Sequence, residues 1–140
     1  MSYSPTAAEE SVRIARGILA AAAPDRIVLS VPNTDYQLHL IVEHPPTTPI
    51  GKRIAGVIRA QGRRIDVVQT GGSYIEPVYG RPRRIQGPIV AIDPATQAVT
   101  VDAAVPIVCK TDGRQRAEQF RIGDFVALDL IPGAFFAPVE

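Results

Sequence analysis

The sequence is poor in the residues that support most metal and redox chemistry. Its 140 residues include one cysteine, two histidines and no tryptophan. The single cysteine, Cys109, excludes an intramolecular disulfide, and its apolar surroundings favour a buried, inert thiol. His39 and His44 lie five positions apart on a predicted strand and therefore point to opposite faces. We accordingly predict no metal site and no cofactor.

Long apolar runs are also absent. No stretch approaches the ~18 residues that a membrane-spanning helix requires. The N-terminal region carries Glu9 and Glu10 before its first arginine, and its apolar run is too short for a secretory leader. We therefore expect a cytoplasmic protein that does not contact a membrane.

Catalytic and nucleotide-binding motifs are missing as well. The chain has no Gly-x-Ser-x-Gly elbow, and the glycine-rich stretch Thr70–Ser73 matches neither common phosphate-binding loop. An enzyme site would have to be assembled from dispersed residues, and no local spacing joins them. Its candidates are His39, Glu43, Tyr74 and Asp102. Of three functional hypotheses, an enzyme is the least supported.

The distribution of charge is the first feature that indicates a function. The net charge is only +1, but residues 52–84 hold eight basic and two acidic residues, a local excess of +6. The segments before and after this block are both net acidic. Such asymmetry is typical of a surface that meets an anionic partner.

The N-terminal region has the pattern of a helix. Thr6 and Glu9 have the spacing of a capping box, and Pro24 provides a stop signal. Between them, one apolar stripe has helical spacing: Val12, Ala15, Ile18, Leu19 and Ala22. We predict an N-terminal helix within residues 1–25, packed on the rest of the domain.

Residues 26–140 have strand periodicity, with turn signals at intervals of ~8–12 residues. Two strands are predicted over Lys52–Ala60 and Arg64–Thr70, and they are joined as a hairpin at Gln61–Arg63. No internal repeat is apparent. The other predicted strands are Ile27–Val31, Tyr36–Val42, Arg83–Asp93, Gln97–Val108 and Phe125–Ile131.

About six antiparallel strands of this kind favour a small β-barrel, which leaves no exposed sheet edge. The segment FRIGDFVALDL, Phe120–Leu130, resembles the final turn and strand of several small barrels, including OB-fold domains. That resemblance implies an architecture and no functional residue. The expected fold is a mainly β, single-domain protein with an OB-like or related barrel and one N-terminal α-helix.

The basic block supplies the candidate site. Guanidinium groups bind phosphates, and nearby tyrosines can stack on bases. We predict a non-enzymatic binding module that contacts nucleic acid or another anionic partner, while a merely solvated basic surface remains an alternative. The candidate residues are Arg63, Arg64, Tyr74, Tyr79, Arg81, Arg83 and Arg84.

The C-terminal segment suggests a second function. Leu130–Val139 is apolar beyond the expected end of the last strand, and Phe135 and Phe136 must be buried somewhere. They are expected to cover an open barrel end, lie under the N-terminal helix, or contact a partner. The alternative hypothesis is therefore a structural protein that oligomerises through this helix and these phenylalanines.

Overall fold

The computed structural model describes residues 10–139, and these form a mainly β protein. Eleven strands belong to one hydrogen-bonded sheet. About six strands were expected, so that prediction is wrong in number. The strands are β1 Ile14–Ala23, β2 Arg26–Ser30, β3 Gln37–Ile41, β4 Arg53–Val67, β5 Tyr74–Glu76, β6 Tyr79–Gly80, β7 Arg84–Asp93, β8 Ala98–Asp102, β9 Pro106–Lys110, β10 Phe125–Leu130 and β11 Phe135–Pro138.

The predicted N-terminal helix is wrong over the described residues. Helical conformation there is limited to Glu10 and Ser11, and residues 14–23 form strand β1. Burial alternates along β1, with Ala15, Gly17 and Leu19 buried, because the strand pairs with β2 and β4. Only Ala15 and Leu19 of the predicted stripe lie on the buried face of β1, so sheet pairing, rather than the apolar period, decided the conformation. Thr6 and Glu9 lie outside the described residues, and the predicted boundary at residue 25 falls in the turn between β1 and β2.

The predicted central hairpin is also wrong. Strand β4 continues through Gln61–Arg63 without a turn. Neighbouring strands come so close to Gly62 that there is little room for a side chain. A Cβ there would lie 2.8 Å from Leu128 Cδ1 and 3.1 Å from the Lys110 carbonyl oxygen. Glycine in a strand often marks such an approach rather than a turn.

Strand pairing forms two closed circuits. In the first, β1 pairs with β2, β2 with β3, β3 with β11, β11 with β4, and β4 again with β1. In the second, β7 pairs with β8, β8 with β9, β9 with β4, β4 with β10, and β10 again with β7. The β3–β11 and β4–β9 pairs are parallel, so the sheet is mixed rather than purely antiparallel.

The two circuits repeat one set of backbone contacts. The Leu19 N–H donates to the Lys52 carbonyl, and the Gly51 N–H donates to the Leu19 carbonyl. In the second circuit, the Ile89 N–H donates to the Asp124 carbonyl, and the Gly123 N–H donates to the Ile89 carbonyl. The chain is therefore an internal structural repeat, which the sequence patterns did not indicate.

The repeat fixes which residues of the two circuits correspond. Gly17 pairs with Ile54, which lies three residues after the positive-φ Gly51. Gly87 pairs with Val126, which lies three residues after the positive-φ Gly123. Both β1 and β7 contain a register shift, after Leu19 and after Ile89. Thus β1, β2 and β3 correspond to β7, β8 and β9.

The circuits exchange their last strands. The first part of β4 belongs to the first circuit, and its continuation pairs with β9 and β10 of the second. In the same way, β10 belongs to the second circuit, and the chain then enters β11 of the first. Each half of the chain thus completes the core of the other.

A single core fills both circuits, and it contains residues of every long strand. The segment Thr70–Gly87 links the circuits, because β5 pairs with β7 and β6 pairs with β3. A short 3-10 turn, Ala117–Gln119, lies between β9 and β10. Within residues 10–139, no helix has the length and apolar character needed to cross a membrane.

Candidate anion-binding groove

The basic block is carried mainly by β4. Alternation along this strand buries Ile54 and Ile58 and turns Arg53, Arg59 and Arg63 outward. The three arginines therefore share the outer face of the strand that both circuits use. Sequence patterns placed Arg53 and Arg59 on one strand of a hairpin and Arg63 at its tip, whereas the structure spaces all three along one strand.

Arg63 and Arg64 occupy a β-bulge. Leu128 pairs with Ile65 and Leu130 pairs with Gly62, so the two arginines together face Asp129. Arg64 Nε lies 2.9 Å from an oxygen of Asp66, which compensates its charge. Among the described carboxylates, none lies within 4 Å of the Arg63 side chain.

Arg84 contacts Asp129 from β7, on the side of β10 opposite to β4. It pairs with Asp129 across β7 and β10, and its Nη1 lies 2.9 Å from Asp129 Oδ1. The hydrogen bond to Asp129, and secondly one with Tyr74, raises the pKa of Arg84 above its ordinary value. Arg63, Arg64 and Arg84 therefore do share one region of the outer face, but Asp129 and Asp66 neutralise much of its charge.

The two tyrosines lie on different strands. Tyr74 lies on β5 and is aligned with Gln86 of the second circuit. Tyr79 lies on β6 beside β3 of the first circuit, and its ring packs edge-on against His39 with centroids 4.6 Å apart. The short chain segment between them crosses from one circuit to the other.

Arg81 and Arg83 lie at the end of that crossing. Both are exposed, and the backbone of Arg83 joins β5 to β10 by donating to the Glu76 carbonyl and accepting from the Leu130 N–H. Their side chains have no carboxylate within 4 Å in the part of the chain that the structure describes. They remain available cations on the rim of the sheet.

The clearest concave basic surface lies elsewhere, where β4 passes β9. Arg59 is aligned with Val108, and Gln61 is aligned with Lys110. Together they border a depression of about 350 Å³, here called the central groove. Its lining residues are Arg59, Ala60, Gln61, Thr96, Ala98, Val108, Lys110 and Gly133.

An aromatic residue is aligned with one member of this groove, although it lines a separate depression with Glu43 and Pro45 rather than the groove itself. Phe135 of β11 is aligned with Arg59 on the side opposite Val108, and it is only partly buried. Phe136, the next residue, points to the core and is completely buried within its own chain. The two phenylalanines that the sequence grouped together therefore lie on opposite faces of the sheet.

The groove has an uncompensated positive charge. Arg59 and Lys110 are both exposed, and no carboxylate within residues 10–139 comes within 4 Å of either. The Gln61 side-chain amide donates to the carbonyls of Gly62 at 2.9 Å and Lys110 at 3.2 Å. These bonds fix the amide between β4 and β9. The arrangement suits a ligand that brings negative charge.

Other reactive groups are isolated from one another. Burial raises the pKa of the Cys109 thiol to about 12, so the group is uncharged at neutral pH. His39 lies on β3 of the first circuit and Asp102 on β8 of the second. The described residues contain no cluster of three or more His, Cys, Asp or Glu arranged to hold a metal ion.

Comparison of the chain with protein-family models, with curated proteins and with solved structures gives no match. The function of the groove therefore has to be inferred from its own residues.

Sequence reasoning missed most of the groove. Arg59 belonged to the basic block, but Gln61 and Lys110 carried no signal, and Phe135 was grouped with the apolar C-terminal segment. These residues come together only because β9 and β11 pair with the middle of β4. The alternation of β4, read as one continuous strand, is the signal that would have placed Arg59 and Gln61 on one face.

Proposed function

We propose that this protein is a non-enzymatic binding module that holds single-stranded nucleic acid on the central groove. The observation that carries the proposal is the alignment of Phe135 and Arg59 across β11 and β4, next to Gln61 and Lys110 across β4 and β9. An aromatic face, two cations and an amide are the groups that single-strand binders combine.

We infer that each circuit is a small barrel of the OB type. Support comes from the five strands in each closed circuit and from the resemblance of Phe120–Leu130 to the final turn and strand of such domains. OB-fold domains bind ligands on the face of their second and third strands. In the second circuit those strands are β8 and β9, and Ala98, Val108 and Lys110 of these strands line the groove.

The chemistry of the groove assigns a role to each side chain. Arg59 and Lys110 contact backbone phosphates, which adds a salt-dependent but sequence-independent attraction. The Phe135 ring stacks on a base, a contact that contributes about 1–3 kcal/mol in single-strand binders. Arg63, Arg81 and Arg83 extend the path of the strand beyond the groove.

The test is a fluorescence-anisotropy titration with labelled oligo(dT) and oligo(U) of about 15 nucleotides, a length within the site sizes of OB folds. For two phosphates neutralised on a single strand, affinity should fall about sevenfold between 50 and 200 mM salt. Replacing both groove cations, Arg59→Ala with Lys110→Ala, should remove this roughly sevenfold part of the salt dependence and leave any part due to Arg63, Arg81 and Arg83. Arg121→Ala is the matched control, because it removes an exposed arginine outside the groove.

A second comparison separates stacking from charge. Phe135→Leu keeps an apolar side chain on β11 but removes the aromatic face, and it should weaken binding of both oligonucleotides at every salt concentration. Unchanged affinity in Phe135→Leu, or equal losses in the groove variant and Arg121→Ala, would overturn the proposal. Heparin serves as the competitor that offers charge without bases.

The alternative of assembly through a helix and a phenylalanine-rich end has less support. Its helix corresponds to strand β1 in the described region, and Phe136 is buried in its own chain. Phe135 remains partly accessible, and with Pro45, Pro46 and Val139 it lines a separate depression of about 420 Å³, which is the one observation that favours this alternative.

A further inference from the structure

Within residues 10–139, no strand pairs with one edge of the first part of β1. Both backbone groups of Leu19 point towards the β4 side, where they contact Lys52 and Gly51. Backbone groups alternate in direction along an antiparallel strand, so those of Ile14 and Arg16 point away from β4. Strand β2 pairs with β1 only from Ile18 onward. Within the described chain, no other strand pairs with this edge.

The corresponding edge of the second circuit is occupied. There β5 adds antiparallel to the first part of β7, with Tyr74 aligned to Gln86 and Glu76 aligned to Arg84. Because Gly17 corresponds to Gly87, Arg16 is the counterpart of Gln86. The chain therefore contains an example of the strand that this edge accepts.

The open edge differs from the occupied one in charge. Gln86 is 8% exposed, and its side-chain amide donates to the Gly72 carbonyl of the segment that covers it. Arg16 is exposed instead, and with Arg53 and Pro32 it borders a pocket of about 350 Å³. No carboxylate of residues 10–139 lies within 4 Å of either arginine.

We propose that the edge Ile14–Arg16 is a docking site for an extended acidic peptide of a partner protein. The peptide adds to β1 as an antiparallel strand, as β5 adds to β7, and main-chain hydrogen bonds hold it. A carboxylate at the peptide position aligned with Arg16 lies beside Arg16 and Arg53. This site is separate from the central groove, and it needs no nucleic acid.

The test is an NMR titration of the full chain, in which backbone amide shifts are followed as peptide is added. The first probe is the peptide GGSYIEPV, the sequence of residues 71–78, which contains the strand docked on the second circuit. The second probe carries glutamate in place of its tyrosine, the position aligned with Gln86 and therefore with Arg16. We expect saturable shifts at Ile14 and Arg16, with the glutamate peptide up to about fivefold tighter.

Two variants at one position separate backbone from side-chain recognition. Arg16→Pro removes the outward N–H and should abolish the saturable shifts, while the ladder to β4 stays intact. Pro88 is a precedent, since it lies inside β7 at a position whose nitrogen also points away from β10. Arg16→Ala keeps the N–H, so it should still bind both peptides and lose only the preference for glutamate.

Each other outcome overturns the proposal. Absence of saturable shifts with either peptide, or shifts that persist in Arg16→Pro, would exclude docking at this edge. A concentration-dependent dimer that Arg16→Pro abolishes would assign the edge to a second copy of this chain. Oligonucleotide affinity of Arg16→Pro serves as the independent readout, because the central groove should keep its binding whether or not the peptide docks.

Discussion

The two circuits have the same strand pairing but different exposed side chains. Where the second circuit pairs Arg84 with Asp129, the first has Ile14 paired with Val57. Where the second covers Gln86 with its own β5 segment, the first exposes Arg16. The repeated backbone contacts fix the fold, and the outward residues are free to differ. A site in one half is therefore best recognised by what the other half has at the same place.

The exchange of last strands gives the largest expected effect. Phe136 is contributed by the chain end that follows the second circuit, yet it fills the first, between β3 and β4. We expect Phe136→Ala to lower the free energy of unfolding by about 3–5 kcal/mol. Urea denaturation measures this, and hydrogen exchange should locate the lost protection in β2 and β3. Phe135→Ala is the control, and an equal loss there would contradict the exchange.

The glycines at the start of β1 and β7 allow a second comparison. A Cβ on Gly17 would lie 2.6 Å from the Ser30 carbonyl oxygen, and one on Gly87 would lie 2.8 Å from the Asp102 carbonyl carbon and closer still to its oxygen. Gly17→Ala and Gly87→Ala should each destabilise by about 1–3 kcal/mol, with Gly87→Ala the more severe.

Gly113→Ala is the matched control for this pair, because a Cβ on Gly113 would have no other group within 4 Å. The midpoint of urea unfolding is the measurement. A neutral effect at Gly17 together with a large one at Gly87 would mean that the two halves are not packed alike.

Replacing the surface pair of the second circuit by that of the first should change the free energy of unfolding only slightly. The side chains of Arg84 and Asp129 are 40% and 57% exposed, so solvent screens their ion pair. Arg84→Ile with Asp129→Val copies the pair found in the first circuit. Each single change should cost less than about 1 kcal/mol, and a double-mutant cycle should give a coupling of about 0.2–1 kcal/mol. A larger coupling would mean that this pair stabilises the frame itself.

Cys109 provides the smallest and most local test. It occupies in β9 the place that Leu40 has in β3, and both are buried. The native thiol should resist alkylation at pH 8 and react fully in urea, as mass spectrometry can record. Because burial raises its pKa to about 12, the folded state favours the protonated thiol. Its contribution to stability is intact below the ordinary thiol pKa and is lost as the pH rises towards 12.

Local patterns predicted several elements well. The alternation over Tyr36–Val42 became β3, and the run Phe125–Ile131 became β10. The predicted strand Arg83–Asp93 became β7, and in the turn that follows it the Asp93 carboxylate accepts from the Ala95 N–H. These signals succeeded because each depends on residues that are close in sequence.

The failures have a common cause. In β1, the apolar stripe had helical spacing, but pairing with β2 and β4 imposed a strand that buries only Ala15 and Leu19 of that stripe. At Gly62, a glycine that resembled a turn was required by the approach of Leu128 and Lys110. Both errors arise where distant strands decide the conformation, which no short window of sequence contains.

The mainly β class, the central basic block and the lack of local catalytic or metal-binding motifs could be predicted from the sequence, because composition and short-range alternation carry that information. Pairing between distant strands closes the two circuits, exchanges their last strands, brings Arg59, Gln61 and Lys110 to one groove and aligns Phe135 with Arg59. The reason is physical: strand pairing joins residues far apart in the chain, and its register depends on both partners.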